Sequence, residues 1–322
     1  MKKRTGFVAA IKSNIIIVAL IAAVLVLSVT AKGFLSVSNI SNILLQISTY
    51  GIVAFAMTIS IIGGEFDLSI SSLMGFTTLL FTDIAKKAGV VPAILVCLLI
   101  GVVVGVLNGL MVSKVRMNAF VVTLGMMMFL KGLALTYTNG KPNNFPNEAL
   151  NAFGNGKLLG IPTITWFFLL TFLVTHLLLK HMRFGRNIYA TGGNMTVAKM
   201  AGINVDFYKT MLFVILGFCT SVSGILMSMR LSSGNSLYGS DLTMSCVAGV
   251  VIGGTSMSGG SGSAVRTFWG MLFIGVLFNG LQRLEIQANW QDVIKGMILI
   301  AVIAIDCLMV QRKTRKVLVH ND

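Results

Sequence analysis

Apolar runs long enough to cross a lipid bilayer recur along the whole chain, and they limit its possible folds more than any other feature. A helix rises 1.5 Å per residue, so about 20 apolar residues span the hydrocarbon. Ten stretches are candidates, at roughly 14–31, 40–62, 69–85, 91–113, 119–138, 163–180, 208–229, 243–258, 265–283 and 292–310. Each must close its own backbone hydrogen bonds where no water can, which selects the α-helix. The expected fold is all-α: a polytopic transmembrane helical bundle of about ten spans, forming a single membrane-spanning domain over 1–322. The eighth stretch is the weakest, because it is short and runs into Gly and Ser. A soluble domain is excluded by 55% hydrophobic against 11% charged residues and a mean hydropathy of +0.88.

A net charge of +15 invites a nucleic-acid reading, but the distribution of the cations argues against it. With the N-terminus in the cytoplasm, sixteen of the 25 Lys and Arg fall in segments on that side. That bias is the positive-inside pattern, so both termini are expected in the cytoplasm and the basic segments against anionic lipid. Met1-Lys2-Lys3-Arg4 leads into a run longer than a signal-peptide core, which favours an uncleaved first span. Cys97, Cys219, Cys246 and Cys307 are scattered through apolar stretches and read as small buried hydrophobes. His176, His181 and His320 are dispersed, and no convergent catalytic or metal-ligating set accompanies them, so an enzyme is not expected.

One sizeable polar, basic segment interrupts the apolar pattern, within the loop at about 181–207. In it, Asn194 is placed to cap a short helix over Met195 to Ala201, and Gly202 suits a left-handed stop. Met195, Ala198 and Ala201 would then form one apolar stripe. So short a helix needs its flanks or a partner to hold it, whereas the plainer reading is a solvated loop with Gly192 and Gly193 giving slack. Two further stretches stand out. Gly63-Gly64-Glu65-Phe66-Asp67-Leu68-Ser69 sets two carboxylates between apolar runs, which reads as a polar turn with Asp67 or Ser69 capping the next span. Gly253-Gly254-Thr255-Ser256, continuing through Ser263, suits close backbone packing or an unwound segment lining a cavity, and a flexible turn fits it equally well. Asn108, Thr123 and Lys131 are polar groups inside spans. Lining a passage and ordinary helix packing both account for the first two, and snorkelling towards the interface for Lys131.

Val106-Leu107-Asn108-Gly109-Leu110 recurs, with one insertion, as Val276-Leu277-Phe278-Asn279-Gly280-Leu281 five spans later, hence in the opposite orientation. Inverted repeats of this kind are a common transporter device. The loop at Asn139–Pro162 carries three of the four prolines and reads by default as a connector, with a lid or a docking face for an extracytoplasmic partner as the alternatives. The chain lacks the phosphate-binding GxxxxGK[ST] pattern: Gly156-Lys157 is followed by Leu158, and position 151 is Asn. Any ATP-driven step therefore needs another chain.

The segment FGRxxYAxGGN followed by AxxxGI resembles the cytoplasmic loop of the sugar-type permeases of bacterial ABC importers, the ribose, xylose and galactose group. Phe184, Gly185, Arg186, Tyr189, Ala190, Gly192, Gly193, Asn194, Ala198, Gly202 and Ile203 carry the match. Gly63 to Ser69 resembles the family's GGxxDLS signature, with Ile70-Ser71 where Val-Gly is common. Gly253 to Ser263 resembles GGTSxxGGxGS, with Thr243-Met244-Ser245-Cys246 where an acidic ELDA segment is typical. Lys131-Gly132 and Thr138-Asn139-Gly140 also fit the family.

The resemblance implies a multi-pass permease of the bacterial cytoplasmic membrane that imports a monosaccharide or similar small polar solute by alternating access. The 184–202 residues would be the ATPase-coupling loop, and Glu65, Asp67, Asn108, Thr123, Lys131 and Gly253 to Ser256 would belong to the passage or its structural turns. Its implied partners are an ABC ATPase subunit, an extracytoplasmic solute-binding protein and a second permease, identical or a sister chain. No cofactor would bind this chain, since ATP sits on the ATPase. The missing acidic segment fits a specialised half of a mixed pair. Competing readings are an ion-coupled carrier and, within the family, a permease for a furanose signal molecule or a nucleoside.

Overall fold

The computed structural model describes residues 15–319, and every candidate span contains a helix. In chain order the spans hold α1 (Ile15–Thr30), α2 (Val37–Ile62), α3 (Ile70–Ala88), α4 (Val90–Ser113) and α5 (Ala119–Thr138). After these come α6 (Glu148–Asn155), α7 (Thr163–His181), α8 (Arg183–Gly193), α9 (Met195–Met200) and α10 (Val205–Leu231). The chain finishes with α11 (Leu242–Ile252), α12 (Ala264–Arg283) and α13 (Ala288–Val319). Six of these, α2, α4, α5, α7, α10 and α12, are long and apolar enough to cross a membrane.

The eighth stretch departs from its expected length. Its helix α11 has 11 residues and stops at Ile252, because Gly253 and Gly254 follow and Gly254 takes φ +101°, which a side chain would resist. Residues 253–263 are irregular, ending where Ser263 caps α12 by accepting from the Arg266 N–H at 3.3 Å. Cys307 also differs from expectation: it is exposed, while Cys97 and Cys246 are buried and Cys219 half-buried.

At one end of the bundle the 139–162 loop is more than a connector. It pairs β1 (Asn143–Asn144) antiparallel with β4 (Ser233–Gly234) and folds β2 (Lys157–Leu158) back on β3 (Ile161–Pro162). Asn147 caps α6 by accepting from the Leu150 N–H, and Asn155 donates to the Arg230 carbonyl at 2.9 Å.

α2 and α10 are the central elements. α2 is buried along most of its length and packs against α7, α10, α11 and α12. α10 crosses α4 through a row of glycines at i, i+4, i+8. A Cβ on Gly101 would lie 2.4 Å from the Gly217 carbonyl oxygen, one on Gly105 2.5 Å from that of Phe213, and one on Gly109 2.8 Å from the Thr210 Cα. Lipid tails are as apolar as Leu, so helices in a bilayer are held by such close approach instead of by water exclusion. The contacts also respect the internal echo. α4 packs on α10 and on α3, while its counterpart α12 packs on α2 and on α11.

Replacing Gly105 with Leu therefore forces α4 and α10 apart, at a cost of about 1–3 kcal/mol for overpacking. Thermal unfolding of the detergent-solubilised chain should fall clearly, whereas Gly125→Leu, where nothing lies within 4 Å of the added Cβ, should leave it unchanged.

Candidate functional site

Three glycine pairs far apart in sequence meet at the bundle end where α2 stops and α3 begins. Gly63-Gly64 ends α2, Gly192-Gly193 ends α8, and Gly259-Gly260 lies in the irregular segment between α11 and α12. The Gly260 N–H donates to the Ile62 carbonyl at 2.8 Å. A Cβ on Gly192 would stand 1.9 Å from that same oxygen, one on Gly259 2.8 Å from the Gly192 oxygen, and one on Gly260 2.6 Å from the Gly193 Cα. Gly64, Gly259 and Gly260 all have positive φ. The backbones touch directly, so the doublet at 192–193 is a packing requirement at its first position and not slack.

α8 is fastened to this junction by its inner face. Ile188 is fully buried among Ile59, Ile62, Leu179 and Leu212, and Gly185 fits against the Leu178 carbonyl, which a Cβ would approach to 2.2 Å. Phe184 packs on Tyr208 with ring centroids 5.2 Å apart, and the Tyr208 hydroxyl accepts from the Asn187 amide at 2.6 Å. Tyr189 donates its hydroxyl to the Gly262 carbonyl at 2.8 Å, tying α8 to the irregular segment. Burial raises the Tyr189 phenol above its ordinary value, with the Arg266 charge opposing, so it stays protonated as that bond requires. Arg186 lies on the exposed face, its guanidinium 3.5 Å from the His181 carbonyl.

α9 follows as the sequence pattern predicts. Asn194 accepts from the Val197 N–H at 3.0 Å, and Gly202 turns the chain at φ +80°. The expected apolar stripe is split, however. Ala198 is buried, while Met195 and Ala201 face outwards. The apolar surface that α9 presents is instead Met195, Val197 (59% exposed) and Met200 (84% exposed), beside Phe207 at the start of α10.

The polar turn at 65–69 sits behind the junction. Glu65 pairs with Lys209 of α10, both side chains largely buried. Asp67, fully enclosed, accepts from the Ser69 N–H at 2.7 Å and the Ser69 hydroxyl at 2.6 Å. The Asn108 amide donates to Asp67 at 3.3 Å and to Ser69 at 3.0 Å. Burial pushes the Asp67 carboxyl up, and those hydrogen bonds oppose the shift. Asp67 thus closes the turn before α3, whereas Ser69, the residue at the helix start, makes no capping bond with its side chain.

Asn108 is fully buried in that packing, and Thr123 is buried with its hydroxyl on the Ala119 carbonyl at 2.8 Å. Lys131 lies on the exposed face of α5, away from both. Gly253 is packed so that a Cβ would meet the Arg266 carbonyl at 2.4 Å, and the Gly254 carbonyl accepts from the Arg266 guanidinium at 3.3 Å. Thr255 is fully buried with its hydroxyl unpaired, and the Ser256 N–H donates to the Ser261 carbonyl at 3.0 Å. The structure therefore brings the motifs at 63–69, 184–202 and 253–263 together, and leaves Thr123 and Lys131 apart from them. Their shared Gly-Gly doublets were the sequence signal for this meeting.

A second polar region occupies the opposite end, between α2, α10 and α12, and hydropathy along the chain does not reveal it. A cavity of about 530 Å³ is lined there by Asn39, Asn42, Gln46, Tyr50, Arg230 and Gln282 among others. Among the described residues no group of three or more His, Cys, Asp and Glu is placed to hold a metal ion.

Residues 39–303 match the family model described as "Branched-chain amino acid transport system / permease component". The ribose import permease protein RbsC of Escherichia coli K12 is 35% identical over 295 residues, covering 90% of this chain and 92% of that protein. The corresponding protein of Bacillus subtilis is 35% identical over 286 residues, covering 88% and 89%. The L-arabinose ABC transporter permease protein AraH of Azospirillum brasilense is 32% identical over 281 residues, covering 87% and 83%. No solved structure matches the chain at a comparable level. With a bundle of apolar helices and this match over most of its length, the chain belongs to the branched-chain amino acid transport system permease family, and is a multi-pass membrane permease subunit of a bacterial ABC importer, a subunit that is not itself catalytic.

Proposed function

We propose that this permease imports a monosaccharide or similar small polar solute by alternating access, driven by a separate ATPase that docks on α8 and α9. The observation that carries the docking reading is the mismatch between the two faces of this helix pair. One face is locked into the glycine junction, while the other leaves Met195, Val197 and Met200 in the open with the cations Arg186 and Lys199 nearby. An apolar patch with a polar rim is what a partner's groove would cover. The solute class follows from the relatives, whose names specify ribose and L-arabinose.

In this reading Phe184, Gly185, Arg186, Tyr189, Gly192, Gly193, Asn194, Ala198 and Gly202 act as the coupling element. Ile188 and Phe184 anchor it, and Asn194 and Gly202 set the ends of α9. Movement of the ATPases passes through the Gly192 and Gly260 backbone contacts to the ends of α2, α11 and α12. The chain forms one permease unit of ten crossings with cytoplasmic termini, and the glycine junction is then at the cytoplasmic face. The exposed apolar faces of α4, α5 and α7 meet lipid or a second permease, and an extracytoplasmic binding protein delivers solute at the α6 end. Glu65, Asp67, Gly253, Gly254, Thr255 and Ser256 serve as structural turns at the inner end of the passage, Asn108 locks the Asp67 turn, and Thr123 and Lys131 stand outside it.

Met200→Glu should abolish co-purification of the ATPase from membranes. Loss of a central apolar anchor costs about 2 kcal/mol, roughly 30-fold in affinity. Because Met200 is 84% exposed, the variant's thermal unfolding should match that of the unaltered chain. Undiminished ATPase recovery would remove α9 from the interface.

Gly192→Val is expected to act differently. Its Cβ collides with the Ile62 carbonyl, so the variant should still recruit the ATPase through α9 while solute uptake falls. Uptake assays on whole cells, with recovery of the ATPase measured alongside, separate the two effects.

A further inference from the structure

Four polar side chains run down one face of α2, at Asn39, Asn42, Gln46 and Tyr50, with spacings of three, four and four residues. On a helix that spacing is a single stripe about 16 Å long. It faces Asn279, Gln282 and Arg283 from the last turns of α12 and Arg230 from the last turn of α10, and the space between them is the 530 Å³ cavity. A cavity of that size takes a small solute with a few convergent polar groups.

The charges of this space are one-sided. Its lining contains two guanidiniums and five carboxamides but no carboxylate. Arg283 donates to the Asn39 amide oxygen at 2.8 Å, and neither Arg283 nor Arg230 has a carboxylate within ion-pair distance among the described residues. The acid of the adjoining cavity is already engaged. Asp241 lies in an adjoining cavity that shares Gln46, Tyr50 and Gln282, where it accepts from Tyr50 at 2.7 Å and pairs with Lys295 at 3.2 Å. Arg230 is partly buried in the last turn of α10 and Arg283 exposed in the last turn of α12, so two guanidiniums without a carboxylate partner stand at the cavity's mouth, where their field draws in an anion. A guanidinium fork binds a carboxylate or phosphate in two-point fashion, and carboxamides pair with hydroxyl groups.

We propose that this cavity is a solute-binding chamber selective for a polyhydroxylated anion, a sugar-like compound bearing one carboxylate or phosphate group. Arg230 and Arg283 hold the anionic group at the mouth. Asn42, Gln46 and Gln282 hold the hydroxyls, and Tyr50, fixed by Asp241, forms the floor. This rests on the importer reading and narrows its solute to an acidic one.

The test is saturation-transfer NMR on the full chain in lipid nanodiscs, titrated separately with D-gluconate, D-ribose 5-phosphate and D-ribose. At least one of the two anions should bind about tenfold or more tightly than ribose, and the better one identifies the anionic group. Arg230→Gln and Arg283→Gln should each bring the affinity for the preferred anion down towards that for ribose, and Arg230→Lys should keep part of the preference. Equal affinity for ribose and both anions in the unaltered chain overturns the proposal without recourse to any variant, as does absence of binding by all three. Co-purification of the ATPase is measured on the same preparation. Its loss would defeat the importer reading while leaving the binding result intact.

Discussion

The Ile62 carbonyl is the point on which the rest of the arrangement depends. It lies at the end of the most buried long helix, where the next residues cannot continue the helical ladder, and it accepts from the Gly260 N–H while the Gly192 backbone presses against it. At the end of a membrane bundle an unpaired carbonyl is expensive, and irregular backbone survives only where protein buries it or water reaches it. Meeting this requirement with a backbone donor, not a side chain, forces three chain segments within backbone contact. Only glycine allows that at 192, 259 and 260. The exposed α9 is therefore held by rigid parts on one side, so a force applied to it reaches α2, α11 and α12 without passing through flexible side chains.

Much of the fold was legible because bilayer thickness and helix rise together fix the length of each element. The start of α9 was legible in Asn194, which accepts from the Val197 N–H, whereas Asn118 and Ser263, which cap α5 and α12 in the same way, emerge only from the structure. The eighth stretch is short and runs into Gly and Ser as expected, but its helix ends at Ile252 instead of 258, because a hydropathy window carries the score of Val250, Val251 and Ile252 past the last helical residue. The backbone cost of two successive glycines decided it instead. The stripe on α9 failed for another reason. Periodicity says which residues share a face but not which face meets the body of the protein, and here Ala198 is the residue of α9 that turns inwards.

The polar chamber escaped notice because each of its amides sits within a strongly apolar window. Asn39, Asn42 and Gln46 are separated by Ile40, Ile43, Leu44 and Leu45, so an average over the segment remains hydrophobic. A search for polar residues at three- and four-residue spacing within spans would have found them. The sequence signal existed, and it was periodic instead of compositional. The opposite holds for Asn108, which composition marks out but packing absorbs, since both Asp67 and Ser69 take its amide hydrogens.

The two echoed asparagines put these ends in relation. Asn108 stands near the end of α4 and bonds to the turn beside the glycine junction. Asn279 stands near the end of α12 and exchanges hydrogen bonds of 2.8 and 3.0 Å with Asn39, at the mouth of the chamber. One copy of the echo therefore serves the glycine junction and the other the polar cavity. Because α4 packs on α10 and α12 packs on α2, the central helices α2 and α10 each receive one copy, in opposite senses. In the proposed alternating access, the two halves would rock about α2 and α10, with one asparagine contact at each end of the bundle to be broken or kept. The glycine rows along the α4–α10 contact suit such motion, because smooth backbone surfaces slide where interlocked side chains would not.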